Sequence, residues 1–208
     1  FAVQHSLMAR PWFKARWTRL VPRPIERSTY VLLASLALLV TMALWVPLPR
    51  TVWEVHGPAA TILWAGFVGG WLLVFAGVYA IDKDDLMGLR QVEAYVEGRE
   101  PAPLDFQTPT LYRYLRHPIM TGFILAFWVT PHMTVGHLVF ASGMTAYVLA
   151  GVWFEERDLV RAFGDRYRRY RSQVPMFVPR PWRVLPTPEN EGTDGRPEGT
   201  DGRPPGGD

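Results

Sequence analysis

The chain contains no cysteine. Disulfides, thiolate nucleophiles and cysteine-ligated metal sites are therefore excluded. Charge is equally absent from three long stretches: residues 30–46, 59–81 and 119–154 hold no Asp, Glu, Lys or Arg. Runs of this length and apolarity argue for crossing a bilayer rather than packing in a soluble core. The start carries no basic region followed by an apolar core, so a signal peptide is not indicated. It reads instead as the end of an apolar helix, and the expectation is one N-terminally truncated membrane domain over residues 1–185. Residues 186–208 have no apolar side chain besides proline and repeat the pattern Glu191-Gly192-Thr193-Asp194-Gly195-Arg196-Pro197. With nothing to bury, this tail cannot offset the entropy of ordering and is expected to be disordered.

What is present is arranged in blocks. Mean hydropathy is only +0.01 because apolar stretches alternate with strongly charged ones. Residues 30–46 are a first span, near the lower length limit for roughly 30 Å of hydrocarbon. Residues 59–81 are a second, with Gly66, Gly69, Gly70 and Gly77 suited to close helix packing. Residues 119–131 and 135–154 predict a helical hairpin turning at residues 132–134. The fold class predicted is an all-α polytopic helical bundle. Residues 10–28 are basic and aromatic, and Pro22 and Pro24 are expected to break any helix there. Loops 47–58 and 131–134 carry a single basic residue, Arg50, whereas segments 10–28, 82–118 and 155–183 carry nearly all the others. The positive-inside rule puts those three segments on the cytoplasmic side. Juxtamembrane arginine accounts for the basic residues without a nucleic-acid partner, and the bilayer is the partner expected.

Two charged clusters flank the predicted hairpin. Arg116-His117-Pro118 opens it, with Pro118 suited to a first helical turn. Glu155-Glu156-Arg157 closes it, and adjacent carboxylates at the end of an apolar helix need solvent or partners. A hairpin would bring imidazole, guanidinium and carboxylate groups to one membrane face, as a polar cofactor at an oily cavity requires. Tyr167 and Tyr170 follow on one face of a basic, aromatic helix, ahead of an extended stretch fixed by Pro175 and Pro179. His137, inside an apolar run, is read as a structural hydrogen-bonding group.

These motifs resemble a known family. Arg116-His117-Pro118 with Gly122, Glu155-Glu156, the Phe163, Gly164, Tyr167, Tyr170 pattern and the Val174-Pro175 stretch are similar to the isoprenylcysteine carboxyl methyltransferase and phospholipid methyltransferase superfamily. The resemblance is closer to its branch of bacterial methanethiol S-methyltransferases. There it extends to Gln4-His5-Ser6, Met8-Ala9-Arg10 and residues 22–28, 85–91 and 127–137, covering about residues 1–180. Departures are Met120 where the superfamily has Tyr, Asp82-Lys83-Asp84-Asp85 without the branch's His and Phe, and Glu93 where an aromatic is usual. They bear on the acceptor more than on the cofactor.

The resemblance implies an S-adenosylmethionine-dependent methyltransferase of the bacterial inner membrane acting on a small thiol, with no metal. A lipophilic acceptor, or a non-catalytic protein on the same scaffold, stays open. Candidate cofactor-binding residues are Tyr112, Arg116, His117, Pro118, Gly122, Glu155, Glu156, Tyr167 and Tyr170. Glu155 or Glu156 and Tyr112 suit the cationic sulfonium, while Arg116 and the helix entrance at His117 suit the carboxylate. His5, Arg90 and Arg157 are the candidates to assist thiol ionisation. Bulky Trp71, Phe75, Phe123, Phe127 and Trp128 are available to enclose a small acceptor pocket.

Overall fold

A computed structural model describes residues 1–81, 83–100 and 106–180. The tail expected over 186–208, the boundary before it and Asp82 lie outside the described residues. Short helices α1 (Ala2–Met8) and α2 (Pro11–Trp17) precede the long α3 (Arg23–Ala43). The break expected at Pro22 and Pro24 is narrower than the sequence suggested. Pro22 caps α3 and Pro24 sits in its first turn, where a missing N–H costs nothing. Strand β1 (Thr51–Glu54) leads into α4 (Gly57–Ala80), and α5 (Lys83–Met87) and α6 (Leu89–Val96) follow. A 3-10 turn, Thr110–Arg113, then precedes α7 (Pro118–Trp128), strand β2 (His132–Thr134) and α8 (Val135–Gln173).

Helices α3, α4 and α8 are long and apolar enough to cross a membrane. In α8 the apolar run is residues 135–154, and the helix beyond it is charged. Few residues of these helices are buried within the protein, as lipid-facing surfaces require. At 11 residues, α7 is about 16 Å long, half the hydrocarbon thickness. It packs along α4. A methyl group on Gly122 would stand 2.6 Å from the Gly70 carbonyl oxygen, and one on Gly70 would stand 2.8 Å from the Ala126 nitrogen. The two backbones therefore touch because neither position has a side chain. Gly66 and Gly77 face Val129 and Ile119 on the same seam, whereas Gly69 points into open space.

The fold is mostly helical but not purely so. The turn expected at residues 132–134 is strand β2, which pairs antiparallel with β1 in the register Thr51 to Thr134 and Glu54 to His132. The Trp53 indole donates to the Thr130 carbonyl at 3.1 Å, and Met133 is fully buried beneath the pair. The loops after α3 and after α7 thus meet at one end of the molecule. At the opposite end Arg27 pairs with Asp85 at 3.6 Å and donates to the Leu86 carbonyl at 3.1 Å, tying α3 to α5.

Candidate functional site

The site begins where the backbone enters α7. His117 is the residue before the helix, with Pro118 at its first position. The preceding segment is held by the C-terminal stretch: Arg116 N–H donates to the Pro175 carbonyl at 3.0 Å and His117 N–H to the Met176 carbonyl at 3.3 Å. The Thr121 hydroxyl donates to the Phe177 carbonyl at 3.2 Å. Prolines 175 and 179 keep that stretch extended, so its carbonyls are available at an edge.

Glu156 gathers the charges. Its carboxylate pairs with the Arg116 guanidinium, and its Oε1 lies 2.8 Å from His117 Nε2 and accepts from the Tyr167 hydroxyl at 2.8 Å. Arg171 approaches at 4.0 Å. A carboxylate only accepts, so His117 carries its proton on Nε2. His117 Nδ1 faces the second carboxylate, Glu155, at 3.6 Å. His117 and Glu156 are buried, while the Glu155 side chain is 51% exposed. Burial works to raise the Glu156 pKa, but hydrogen bonds from His117 and Tyr167 and the charge of Arg116 hold it below the usual carboxylate value.

Tyr167 reaches Glu156 because the chain doubles back. Eleven residues of unbroken helix would separate the two by about 16 Å. Helix α8 breaks at Gly164, whose φ of 53° and ψ of −128° belong to a region that side chains disfavour. Tyr167, Tyr170 and Val174 then form a buried cluster with Phe106, Leu159, Val160 and Phe163. The Tyr170 hydroxyl donates to the Tyr112 carbonyl at 2.6 Å. Burial, and then the charge of Glu155, push the Tyr112 phenol up to about 12, so it remains a neutral donor at physiological pH.

The structure thus brings Tyr112, Arg116, His117, Pro118, Glu155, Glu156, Tyr167 and Tyr170 to one junction. Both later tyrosines are interior, with their hydroxyls committed to protein acceptors. Gly122 lies in the α4–α7 seam. Of the three candidates for thiol ionisation, His5 and Arg157 contact aromatic side chains. His5 Nδ1 lies 2.9 Å from the Tyr30 hydroxyl, and its ring is flanked by Phe1 and Tyr147. Tyr147 is nine residues before Glu156, about 13 Å along the helix axis. The Arg157 guanidinium lies over the Trp153 ring, 4.5 Å from its centroid. Arg90 is exposed on α6, which packs on α3. His137 Nε2 lies 2.9 Å from the Phe127 carbonyl, a bond that ties the start of α8 to the end of α7.

Sequence reading did not single out Phe106, Thr121 or Arg171. Phe106 carries no motif, and its place is set by the Tyr170 contact at 5.2 Å and by Arg166, which donates to its carbonyl at 2.8 Å. Chemically, the junction offers one buried donor, Arg116 Nε, without a partner among the described residues, and one half-exposed carboxylate, Glu155. That pairing suits a ligand bearing both signs of charge. Among the described residues no three His, Asp or Glu side chains converge as metal ligands.

No family model and no solved structure matches the chain. It is 53% identical over 184 residues to a methanethiol S-methyltransferase of Mycobacterium tuberculosis, covering 88% of this chain and 75% of that protein. It is 51% identical over 185 residues to methanethiol S-methyltransferase 1 of Bradyrhizobium diazoefficiens, and there the chain spans only 64% of the relative's length. Similarity reaches nurim of Pan troglodytes, 34% identical over 183 residues, 83% of this chain and 67% of that protein. With more than half of its residues identical to such a relative across most of both sequences, the chain belongs to the methanethiol S-methyltransferase family.

Proposed function

We propose that the protein transfers a methyl group from S-adenosylmethionine to methanethiol, giving dimethyl sulfide, at the bacterial inner membrane with its charged junction facing the cytoplasm. The observation that carries this reading is the unpartnered buried Arg116 Nε beside the half-exposed Glu155 carboxylate. These residues fit a zwitterionic, sulfonium-bearing cofactor. The Arg116 fork and the entrance of α7 would take its carboxylate. Glu155 and the neutral Tyr112 phenol would face its cationic groups. Glu156 holds Arg116 and His117 in place for this, and the Pro175–Pro179 stretch would lie along the adenosine. Bound there, S-adenosylmethionine supplies an electrophilic methyl on sulfur. In-line transfer needs little covalent help, so the chain's part is positioning and exclusion of water.

The names of the relatives support the thiol acceptor, and the concentration of Lys and Arg on one side supports the cytoplasmic orientation. Purified protein given S-adenosylmethionine and methanethiol is expected to release dimethyl sulfide into the headspace, read by gas chromatography. Absence of dimethyl sulfide alongside methylation of added lipid would reject the thiol reading.

A further inference from the structure

We propose that Arg10 and Arg157, stacked on an adjacent pair of aromatic rings, form a clamp for the phosphate of an anionic phospholipid in the bordering leaflet. The Arg10 guanidinium lies 4.4 Å from the centroid of Phe154, and that of Arg157 lies 4.5 Å from the centroid of Trp153. The two rings are themselves in edge contact at 4.7 Å. Trp153 and Phe154 are the last residues of the uncharged run of α8, and they remain 54% and 40% exposed. They sit where apolar surface gives way to charge, the level at which membrane proteins present aromatic rings to headgroups.

What sets these two arginines apart is that their rings touch: Arg16 also lies over a ring, Trp12 at 5.5 Å, but the neighbouring Phe13 carries no guanidinium among the described residues. Arg27, Arg99, Arg116, Arg161 and Arg168 each have a carboxylate partner. Arg10 and Arg157 have only a ring among the described residues. The neighbouring acids contact other groups: Glu155 faces His117 with one oxygen, Glu156 faces Arg116, and Asp158 pairs with Arg161 at 3.0 Å. Stacking fixes the plane of a guanidinium and leaves its N–H edge open, and that edge is the geometry that binds phosphate oxygens. The two forks come from different elements, α8 and the residue before α2. A headgroup held between them would also pin the N-terminal segment against α8. Basic side chains at this level draw anionic lipid generally, and the aromatic pair makes this a located site rather than a diffuse field.

The inference rests on the membrane reading and not on methyl transfer, so lipid retention is the readout. The full chain is purified in detergent and studied by native mass spectrometry with phosphatidylglycerol and phosphatidylcholine of identical acyl chains. Wild type is expected to retain phosphatidylglycerol preferentially. The double variant Arg10→Ala with Arg157→Ala should lose about 30-fold in that retention, and Arg161→Ala with Arg168→Ala, whose guanidiniums pair with Asp158 and Asp165, should lose much less. Equal retention of the two lipids by wild type overturns the proposal, as does equal loss in the two double variants, which would indicate only a basic surface. Should the first double variant fail to fold, Arg10→Lys with Arg157→Lys keeps the charge and removes the planar forks. A several-fold drop supports the clamp there, and unchanged retention overturns it.

Discussion

Glu155 and Glu156 are neighbours in sequence and do different work. Glu156 accepts from Arg116, His117 and Tyr167 in a buried setting, so it holds three elements together. Glu155 is half exposed, with His117 as its partner, and in the proposed reading its second oxygen would serve the cofactor. Glu156→Gln should therefore destabilise the protein by about 3 kcal/mol, because it strands a buried guanidinium, and should also weaken cofactor binding. Glu155→Gln should leave thermal unfolding nearly unchanged and weaken S-adenosylmethionine binding roughly 10- to 150-fold, the value of one charge-assisted hydrogen bond. Unfolding scans in detergent beside calorimetric titration separate the two, and equal Tm losses would contradict the division. The same carboxylate sets an acid limit. The Glu156 pKa is lower folded than unfolded, so its contribution is complete above the ordinary value of 4.5 and is lost as pH falls through the depressed folded value. Wild type should lose more stability than Glu156→Gln between neutral pH and that acid range.

Among the elements, the α4–α7 seam is the contact on which the site depends, because α7 carries His117 at its entrance. Gly70→Val or Gly122→Ala would drive a side chain into backbone and should cost about 1–3 kcal/mol or more. Gly69→Ala meets nothing within 4 Å and should be neutral or slightly stabilising. Thermal unfolding of the three variants tests this, and a Gly69→Ala loss equal to that of Gly122→Ala would show that the seam is not where the packing lies. This seam was legible in the sequence as a stripe of small residues, and so were the uncharged spans. The β1–β2 pair was not. Its strands are four and three residues long, too short for an alternating pattern, and their partners lie about 80 residues apart. The charged junction was legible as two clusters at the ends of one apolar run. The separate parts of Glu155 and Glu156 were not, because they follow from which carboxylate faces Tyr167 after the chain reverses at Gly164.

For the whole molecule, the proposal of a small thiol acceptor rests on how the helices pack their aromatic rings. Trp71 of α4 meets Phe123 of α7 at 5.8 Å, Phe123 stacks on Phe127 at 5.8 Å, and Phe127 meets Phe140 of α8 at 5.3 Å. Phe75 packs on Trp71, while Trp128 turns outward and donates to the Thr145 hydroxyl. Trp71, Phe123, Phe127 and Phe140 are half-buried and form a ladder from α4 across α7 to α8, whereas Phe75 and Trp128 are exposed. A cavity of about 430 Å³, lined by Met42, Trp45, Leu48, His137 and Phe140 among others, lies at the β1–β2 end, far along the bundle from Glu156. A long prenyl chain lying along the bundle beside α7 would compete with the ring ladder for its space. A one-carbon thiol would not. The rate of methyl transfer is therefore expected to fall steeply as the acceptor grows from methanethiol to butanethiol, since an overfilled site moves sulfur out of line with the methyl group. Enlarging the space with Phe123→Ala should flatten that decline, raising the rate with the longer thiol relative to methanethiol even as stability falls. Headspace chromatography across the thiol series in both proteins provides the comparison. Equal rates for methanethiol and a farnesylated thiol in wild type would reject the small-thiol reading and favour a lipophilic acceptor entering from the bilayer.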